Sequence, residues 1–361
     1  MFKVHLCLSA CALLASSAIA VAQAPAAAPA ARPAPPPLES PSPHYVSFVL
    51  TQDVNAPADT VWVRVGKYCD IGEWGFPCTI LQGPGNEIGS VRSIQNEVMV
   101  GKTRYSYTYA QAPRQGVTYN LYHATLEVVP VTAKTSRLEY SFLYDNSMLT
   151  DDAARNTEIA TRKMRFTGFL KNMKTLAEGG KLEKPTAPPP VLSTAPWLVA
   201  EPHYVTIPMS IDVNAPADKV WARIGKYCDI GEWGFPGCTI TSGKDGELGA
   251  IRTIGNEVLV GKTKYSYIYT QPKRVGSSYN MYHGDLEAEP LTATTTRLHY
   301  TLLYDNSALP DDAAKQKDIE NRRTRFTQML ENMKLLAEGK PLPEGAVRRP
   351  APPAASPTTP K

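Results

Sequence analysis

Apolar and polar residues alternate through "HYVSFVLTQDV" at His44–Val54, a period of two that predicts a β-strand. In "NAPADTVWVRVGKY" the period changes. Val61, Trp62 and Val65 recur at helical spacing, with Asn55 placed to cap and Pro57 suited to a first turn. "CDIGEWGFP" then predicts a short helix or turn that its proline ends. From Thr79 to Asn146 the chain alternates and is rich in Tyr, Val and Thr, broken by "QGPGNEIG", "VGK", "QAPRQG" and "VTAKT". That pattern predicts a meander of antiparallel strands. After Asp151-Asp152, Pro and Gly are absent up to Gly168, and Ile159, Phe166, Phe169/Leu170, Met173 and Leu176 mark one face of a long helix. The acidic pair sits at the positive helix end, where the macrodipole favours it.

The whole pattern then repeats. "DVNAPADTVWVRVGKYCDIGEWGFP" from Asp53 to Pro77 returns as "DVNAPADKVWARIGKYCDIGEWGFP" from Asp212 to Pro236. "NEVMVGKTRYSY" at Asn96–Tyr107 matches "NEVLVGKTKYSY" at Asn256–Tyr267, and "LYDNS" at Leu143–Ser147 recurs at Leu303–Ser307. The offset is 159 residues up to the proline and 160 beyond it, because Gly237 is an extra residue. About three positions in five are identical, too many for a solenoid repeat and in too few units. One globular α+β domain is therefore written twice, over residues 44–182 and 203–340, with Ile319, Phe326, Met329/Leu330, Met333 and Leu336 repeating the helical stripe. The chain supplies a helix for one sheet face and no further layer for the other.

Composition adds the parts outside the copies. Most of the 32 prolines fall in the Pro/Ala-rich segments 23–43 and 183–202 and the tail 341–361, which read as stiff spacers. The net charge is +4, from 38 Lys+Arg against 34 Asp+Glu, so no nucleic-acid partner is expected. Residues 1–22 read as a signal peptide: a basic start at Lys3, an apolar run and Ala20-Val21-Ala22 before Gln23. The expectation is an exported chain, periplasmic or secreted, with no transmembrane segment after cleavage. The alternative is a lipoprotein anchored at Cys11 of Leu8-Ser9-Ala10-Cys11. In an oxidising compartment Cys69 with Cys78, and Cys228 with Cys238, are the natural disulfides. Metal binding competes, though spacings of nine and ten are wide for a zinc knuckle and no His lies between the partners.

The order N-A-P-A-D-x-V-W, C-D-I-x-x-W-x-x-P, a later Cys, G-x-x-R, N-E and Y-S-Y resembles the polyketide cyclase/dehydrase and lipid-transport family of the START/Bet v 1-like (SRPBCC) superfamily. The resemblance covers nearly all of both copies. It implies two tandem helix-grip domains, each a curved antiparallel sheet wrapped around a long C-terminal helix, with an apolar or aromatic ligand held between them. That family mixes carriers with enzymes.

Strand parity names the candidate ligand-binding residues. Tyr105, Tyr107 and Tyr109 share a face, as do Tyr265, Tyr267 and Tyr269. Tyr119, Leu121, His123, Thr125 and Glu127 fall on one face of the next strand, and Leu138, Tyr140, Phe142 and Tyr144 on one face of the last. The second copy supplies Tyr279, Tyr300 and Tyr304. A tyrosine offers an apolar ring and one hydroxyl, suited to a ligand with few polar groups; core packing is the plainer role for any one of them. Arg92 with Glu97, and Arg252 with Glu257, are family-like groups to orient polar ligand ends, or else ion pairs across neighbouring strands. His123 and His283 are weak acid/base candidates beside the two glutamates. Arg162 and Arg322 stand at the edge of the helical stripe, where snorkelling to solvent is expected. Trp62/Trp221 and Trp74/Trp233 are expected to pack the short helices, the second pair also placed to cover a cavity mouth.

There is no G-x-S-x-G elbow, H-E-x-x-H motif, P-loop or Rossmann fingerprint, so no cofactor and no metal is expected. The leading expectation is a binding protein for small hydrophobic, lipid-like or aromatic ligands. A cyclase/dehydratase-like enzyme and an envelope interaction protein are the alternatives. The sequence sets no oligomeric state.

Overall fold

The computed structural model describes residues 42–112, 119, 121–183, 199, 201–274 and 279–347. The expected leader, most of the spacers and residues 348–361 lie outside the described residues.

In the first copy the alternating start forms β1 (Tyr45–Val54), followed by α1 (Ala58–Val65) and α2 (Ile71–Trp74). The meander forms β2 (Ile80–Gln82), β3 (Val91–Arg92), β4 (Glu97–Thr103), β5 (Ser106–Gln111), β6 (Tyr122–Pro130) and β7 (Ser136–Asp145), and α3 (Asp152–Ala177) closes the copy. The second copy repeats them as β8 (Tyr204–Val213), α4 (Ala217–Ile224), α5 (Ile230–Trp233), β9 (Ile240–Ser242), β10 (Ile251–Arg252), β11 (Glu257–Thr263), β12 (Ser266–Thr270), β13 (Tyr282–Pro290), β14 (Thr296–Asp305) and α6 (Asp312–Ala337). Each copy is one seven-stranded antiparallel sheet, in the order β1-β7-β6-β5-β4-β3-β2 and its counterpart β8-β14-β13-β12-β11-β10-β9. The meander is sequential, and β1 joins its far edge by pairing along all of β7, from Tyr45 opposite Asp145 to Val54 opposite Ser136.

Asp151 caps α3, its Oδ1 accepting from the Ala154 N–H at 2.8 Å, and the helix buries Phe166, Leu170 and Met173 against the sheet. Asn55 does not cap α1. Pro57 occupies the N-cap, and the Asn55 backbone N–H instead donates to Glu178 Oε1 at 2.7 Å, tying the start of α1 to the end of α3.

The sheet face away from α3 is also covered, contrary to the one-layer expectation. Val91, Val98, Val100, Ala110 and Leu143 pack there against Val258, Val260, Ile268, Met281 and Leu303 of the other copy, forming a third apolar core. Duplication supplies the missing layer, so each sheet lies between its own helix and the other sheet. The approach is close because glycine leaves room: a Cβ at Gly101 would stand 2.5 Å from Ile268 Cγ1, and one at Gly261 would stand 2.9 Å from the Thr108 and Thr125 hydroxyls.

Both cysteine pairs are bridged, Cys69–Cys78 and Cys228–Cys238, each with Cα atoms 5.4 Å apart. Each bridge closes a loop of about ten residues, for which chain entropy gives about 2–4 kcal/mol. Reduction under native conditions should therefore lower the melting temperature, and a melting curve unchanged by reductant would contradict the assignment.

Candidate functional site

The space between sheet and helix is lined by side chains from β1, β4–β7, α1, α2 and α3. At one end lies a buried ion pair. Ile94 to Glu97 form a tight turn in which Gln95 (φ 49°) and Asn96 (φ 51°) are both left-handed, as a type I′ turn requires. The second copy meets the same demand with Gly255 and Asn256. This turn sets Arg92 directly opposite Glu97 in the ladder. Arg92 Nε donates to Glu97 Oε2 at 2.7 Å, Nη2 approaches the same oxygen at 2.5 Å, and Nη1 donates to the Tyr68 carbonyl at 2.7 Å. Gln111 Nε2 donates to Glu97 Oε1 at 3.2 Å. The guanidinium also lies 4.3 Å from the Tyr68 ring centre and 4.5 Å from that of Tyr109. Arg252, Glu257, Gln271, Tyr227 and Tyr269 reproduce the arrangement. Burial pushes the Glu97 carboxyl up, and Arg92 offsets only part of that rise.

Around this pair the rings pack tightly. Tyr109 and Tyr140 share a hydroxyl–hydroxyl bond of 2.9 Å, as do Tyr269 and Tyr300. Tyr107 stands edge-on to Tyr68 with ring centres 5.3 Å apart, and Tyr267 does the same to Tyr227 at 5.6 Å. Burial raises the pKa of Tyr107 and of Tyr267, the latter to about 12, keeping both hydroxyls protonated. Two further donors in each copy, the Tyr68 hydroxyl with Trp74 Nε1 and the Tyr227 hydroxyl with Trp233 Nε1, are buried without a hydrogen-bond partner. Such groups cost about 1–3 kcal/mol each when left dry.

A second polar cluster stands on α3. Arg162 is nearly sealed, its side chain 10% exposed, and sits 4.8–4.9 Å from the ring centres of Tyr119, Tyr122 and Tyr144. Its Nε donates to Glu158 Oε1 at 2.7 Å, and Nη1 donates to the Tyr122 hydroxyl at 2.7 Å. Glu158 in turn accepts from the Tyr119 and Tyr144 hydroxyls at 2.7 and 2.8 Å. Arg322, Asp318, Tyr279, Tyr282 and Tyr304 form the counterpart. The expectation that Arg162 and Arg322 snorkel is thus corrected: a carboxylate one turn back and three ring faces hold each guanidinium inside. Tyr119 also leaves its predicted face. β6 begins only at Tyr122, so alternation does not carry back past Leu121, and Tyr119 joins Tyr122 and Tyr144.

His123 and His283 lie on the opposite face of their sheets. They meet between the two copies with Nε2 atoms 2.7 Å apart, 4% and 2% exposed. Glu97 and His123 are therefore not brought together. Trp74 and Trp233 are fully buried rather than lying over an opening; Trp74 stands edge-on to Phe169 at 5.9 Å. Sequence reasoning did not single out Tyr68, Tyr122 or Glu158. Tyr68 falls between two helices with no strand parity to read, but Glu158 four residues before Arg162 was a usable signal.

Among the described residues no group of three or more His, Cys, Asp or Glu side chains is arranged to hold a metal ion. The family described as polyketide cyclase / dehydrase and lipid transport matches residues 45–178 and again 204–338. No curated protein matches in sequence. Among solved structures, the di-domain ARO/CYC BexL from the BE-7585A biosynthetic pathway is similar at 14% identity, covering 82% of this chain and 100% of its own, with a TM-score of 0.31. The di-domain ARO/CYC StfQ from the steffimycin biosynthetic pathway is similar at 13% identity, covering 81% and 97%, with a TM-score of 0.30. Norcoclaurine synthase from Thalictrum flavum is similar at 12% identity, covering 39% of this chain and 91% of its own, with a TM-score of 0.29. With the family matched over both copies, the chain belongs to the polyketide cyclase/dehydrase and lipid-transport family, in a tandem SRPBCC arrangement.

Proposed function

We propose that the protein binds small, largely apolar aromatic or lipid-like molecules between sheet and helix, and that it does so as an exported protein. The observation that carries the reading is the set of buried, unpartnered donors, Tyr68 Oη with Trp74 Nε1 and Tyr227 Oη with Trp233 Nε1, among apolar and aromatic walls. A ligand oxygen that accepts from one of them removes a desolvation cost the empty protein carries. Arg92, Tyr107 and Tyr140, with Arg252, Tyr267 and Tyr300, line the same interior and orient the polar end of the ligand. Tyr119 and Tyr144, with Tyr279 and Tyr304, flank its other end beside the caged arginines. A catalytic reading built on Glu97 with His123 has less support, because the two groups face opposite sides of one sheet. For export, the support is the pair of disulfides, which persist in oxidising compartments. A recovered chain beginning at Gln23 is the expected product.

The test uses 2-naphthol, an aromatic with one hydroxyl, titrated into the purified protein by calorimetry. Replacing Tyr68→Phe and Tyr227→Phe together should weaken binding by about 3–10-fold. The same change should stabilise the ligand-free protein, because it deletes buried hydroxyls that have no partner within the protein. If neither 2-naphthol nor a fatty acid binds the unmodified protein, the reading fails.

A further inference from the structure

The two interiors share a backbone design but not a filling. In the first domain the rings run without a break: Phe48 stacks on Phe142 at 4.9 Å, Phe142 stacks on Tyr140 at 4.9 Å, and Phe142 meets Phe166 edge-on at 4.5 Å. Phe166 continues to Phe169 at 5.2 Å, and Phe169 to Phe76 at 5.0 Å. In the second domain the positions of Phe48, Phe142 and Phe169 hold Ile207, Leu302 and Met329, each three non-hydrogen atoms smaller. Val128 becomes Ala288 and Ala124 becomes Gly284, while Val65 to Ile224 is a small change the other way. Tyr140 also meets Phe166 edge-on at 5.0 Å, and its counterpart, Tyr300 tilted against Phe326 at 4.9 Å, is the ring contact that remains.

The second interior closes partly by settling a ring into the vacated space. A Cβ at Gly284 would stand 2.4 Å from the Tyr269 ring, so this ring occupies the place of the Ala124 methyl. Met329 takes the place of Phe169. Its Cε lies 3.3 Å from where a Cβ on Gly234 would be, beside Trp233, as the Phe169 ring edge lies beside Gly75 in the first domain. A phenyl ring wedged between two others cannot fold away, whereas an unbranched thioether with three rotatable bonds can. The first domain thus carries its own stacked aromatic rings. The second replaces them with aliphatic side chains that can yield, in the same core that holds the unpartnered donors of Tyr227 and Trp233.

We infer that the second domain is the ligand-accepting one, taking a planar one- or two-ring aromatic molecule where the first domain holds Phe48 and Phe142, and that the first domain is a self-filled scaffold. The inference rests on the binding reading above and narrows it to the second half of the chain, so that Arg252, Tyr267, Tyr279, Tyr300 and Tyr304 meet the ligand while their first-domain counterparts stay within that domain's own packing. Ile207, Leu302 and Met329 are then the residues that set which ring system fits.

Calorimetry of the full chain with 2-naphthol should give one equivalent bound. The triple exchange Ile207→Phe, Leu302→Phe and Met329→Phe, which installs the residues the first domain already tolerates at these positions, should weaken binding at least 10-fold. The reverse exchange, Phe48→Ile, Phe142→Leu and Phe169→Met, should raise the stoichiometry to two, and it decides the matter if the first variant does not fold. Two equivalents in the unmodified protein, an equivalent that survives refilling, or a reverse variant that stays at one would each overturn the assignment while leaving the binding reading intact. No binding at all would overturn both.

Discussion

Replacing Glu97 with leucine is expected to destabilise the protein by about 3–5 kcal/mol, the scale for removing one partner of a buried ion pair. Arg92 is 0% exposed and cannot shed its proton, so the substitution strands a charge in an apolar interior. The Tyr68 carbonyl and the flanking ring faces remain, and they do not neutralise it. The converse change, Arg92→Met, should cost less, because Glu97 can take up a proton once its partner is gone. Making both changes should recover most of the loss, since an apolar pair of similar volume replaces an ion pair that had to be dehydrated. Urea denaturation at neutral pH reads all three variants. A Glu97→Leu midpoint close to that of the unmodified protein, or a double variant worse than either single one, would contradict this account.

Exchanging His123 and His283 together for glutamine should make the protein relatively more stable as the pH falls. Burial holds both imidazoles below their ordinary value of 6.5, His283 at about 3, and each further disfavours a second charge facing it at 2.7 Å. Both rings are thus neutral in the folded protein while the unfolded chain protonates them below about pH 6.5. Stability is lost as pH drops through that value, by about 1.4 kcal/mol per pH unit for each ring and about 2.7 for the pair.

Three carboxyls around the interface work in the opposite sense. Burial raises Asp285 to about 7, Glu127 to about 7 and Glu287 to about 8, so the folded chain holds protons there that the unfolded chain releases above about pH 4. Their contribution grows as pH falls from 8 toward 4, and Glu127 and Glu287 are less deeply buried than Asp285, so water weakens theirs more. The unmodified profile is therefore a partial cancellation, and the informative quantity is the difference between variant and parent. That difference should widen steadily from pH 7 to pH 5; a constant offset would show that the imidazoles do not titrate on unfolding.

The architecture was legible because its signals are local and doubled. Alternation over Tyr45–Val54, the Tyr-rich meander and the stripe from Ile159 to Leu176 each state a period, and the second copy states it again. The candidate site was only partly legible. Tyr140 and Tyr144 were correctly grouped on one face, but parity separates a strand into two faces without saying what covers either. Here both faces are buried, one under α3 and one under the other sheet, so buried Tyr107 and buried His123 look alike in sequence and serve different surfaces.

What the chain determined by itself was the repeated unit and its strand and helix order, with the cysteines set as two close pairs, because backbone period and short-range spacing are written in neighbouring residues. Only the tertiary structure decided that Arg162 turns inward, that Tyr119 leaves its predicted face and that two histidines 160 residues apart meet. It also decided that Phe48, Phe142 and Phe169 join one continuous set of ring contacts in the first interior, where the second has aliphatic side chains. Each of these depends on what lies across a packed interface, and packing joins residues whose separation along the chain carries no trace of the contact.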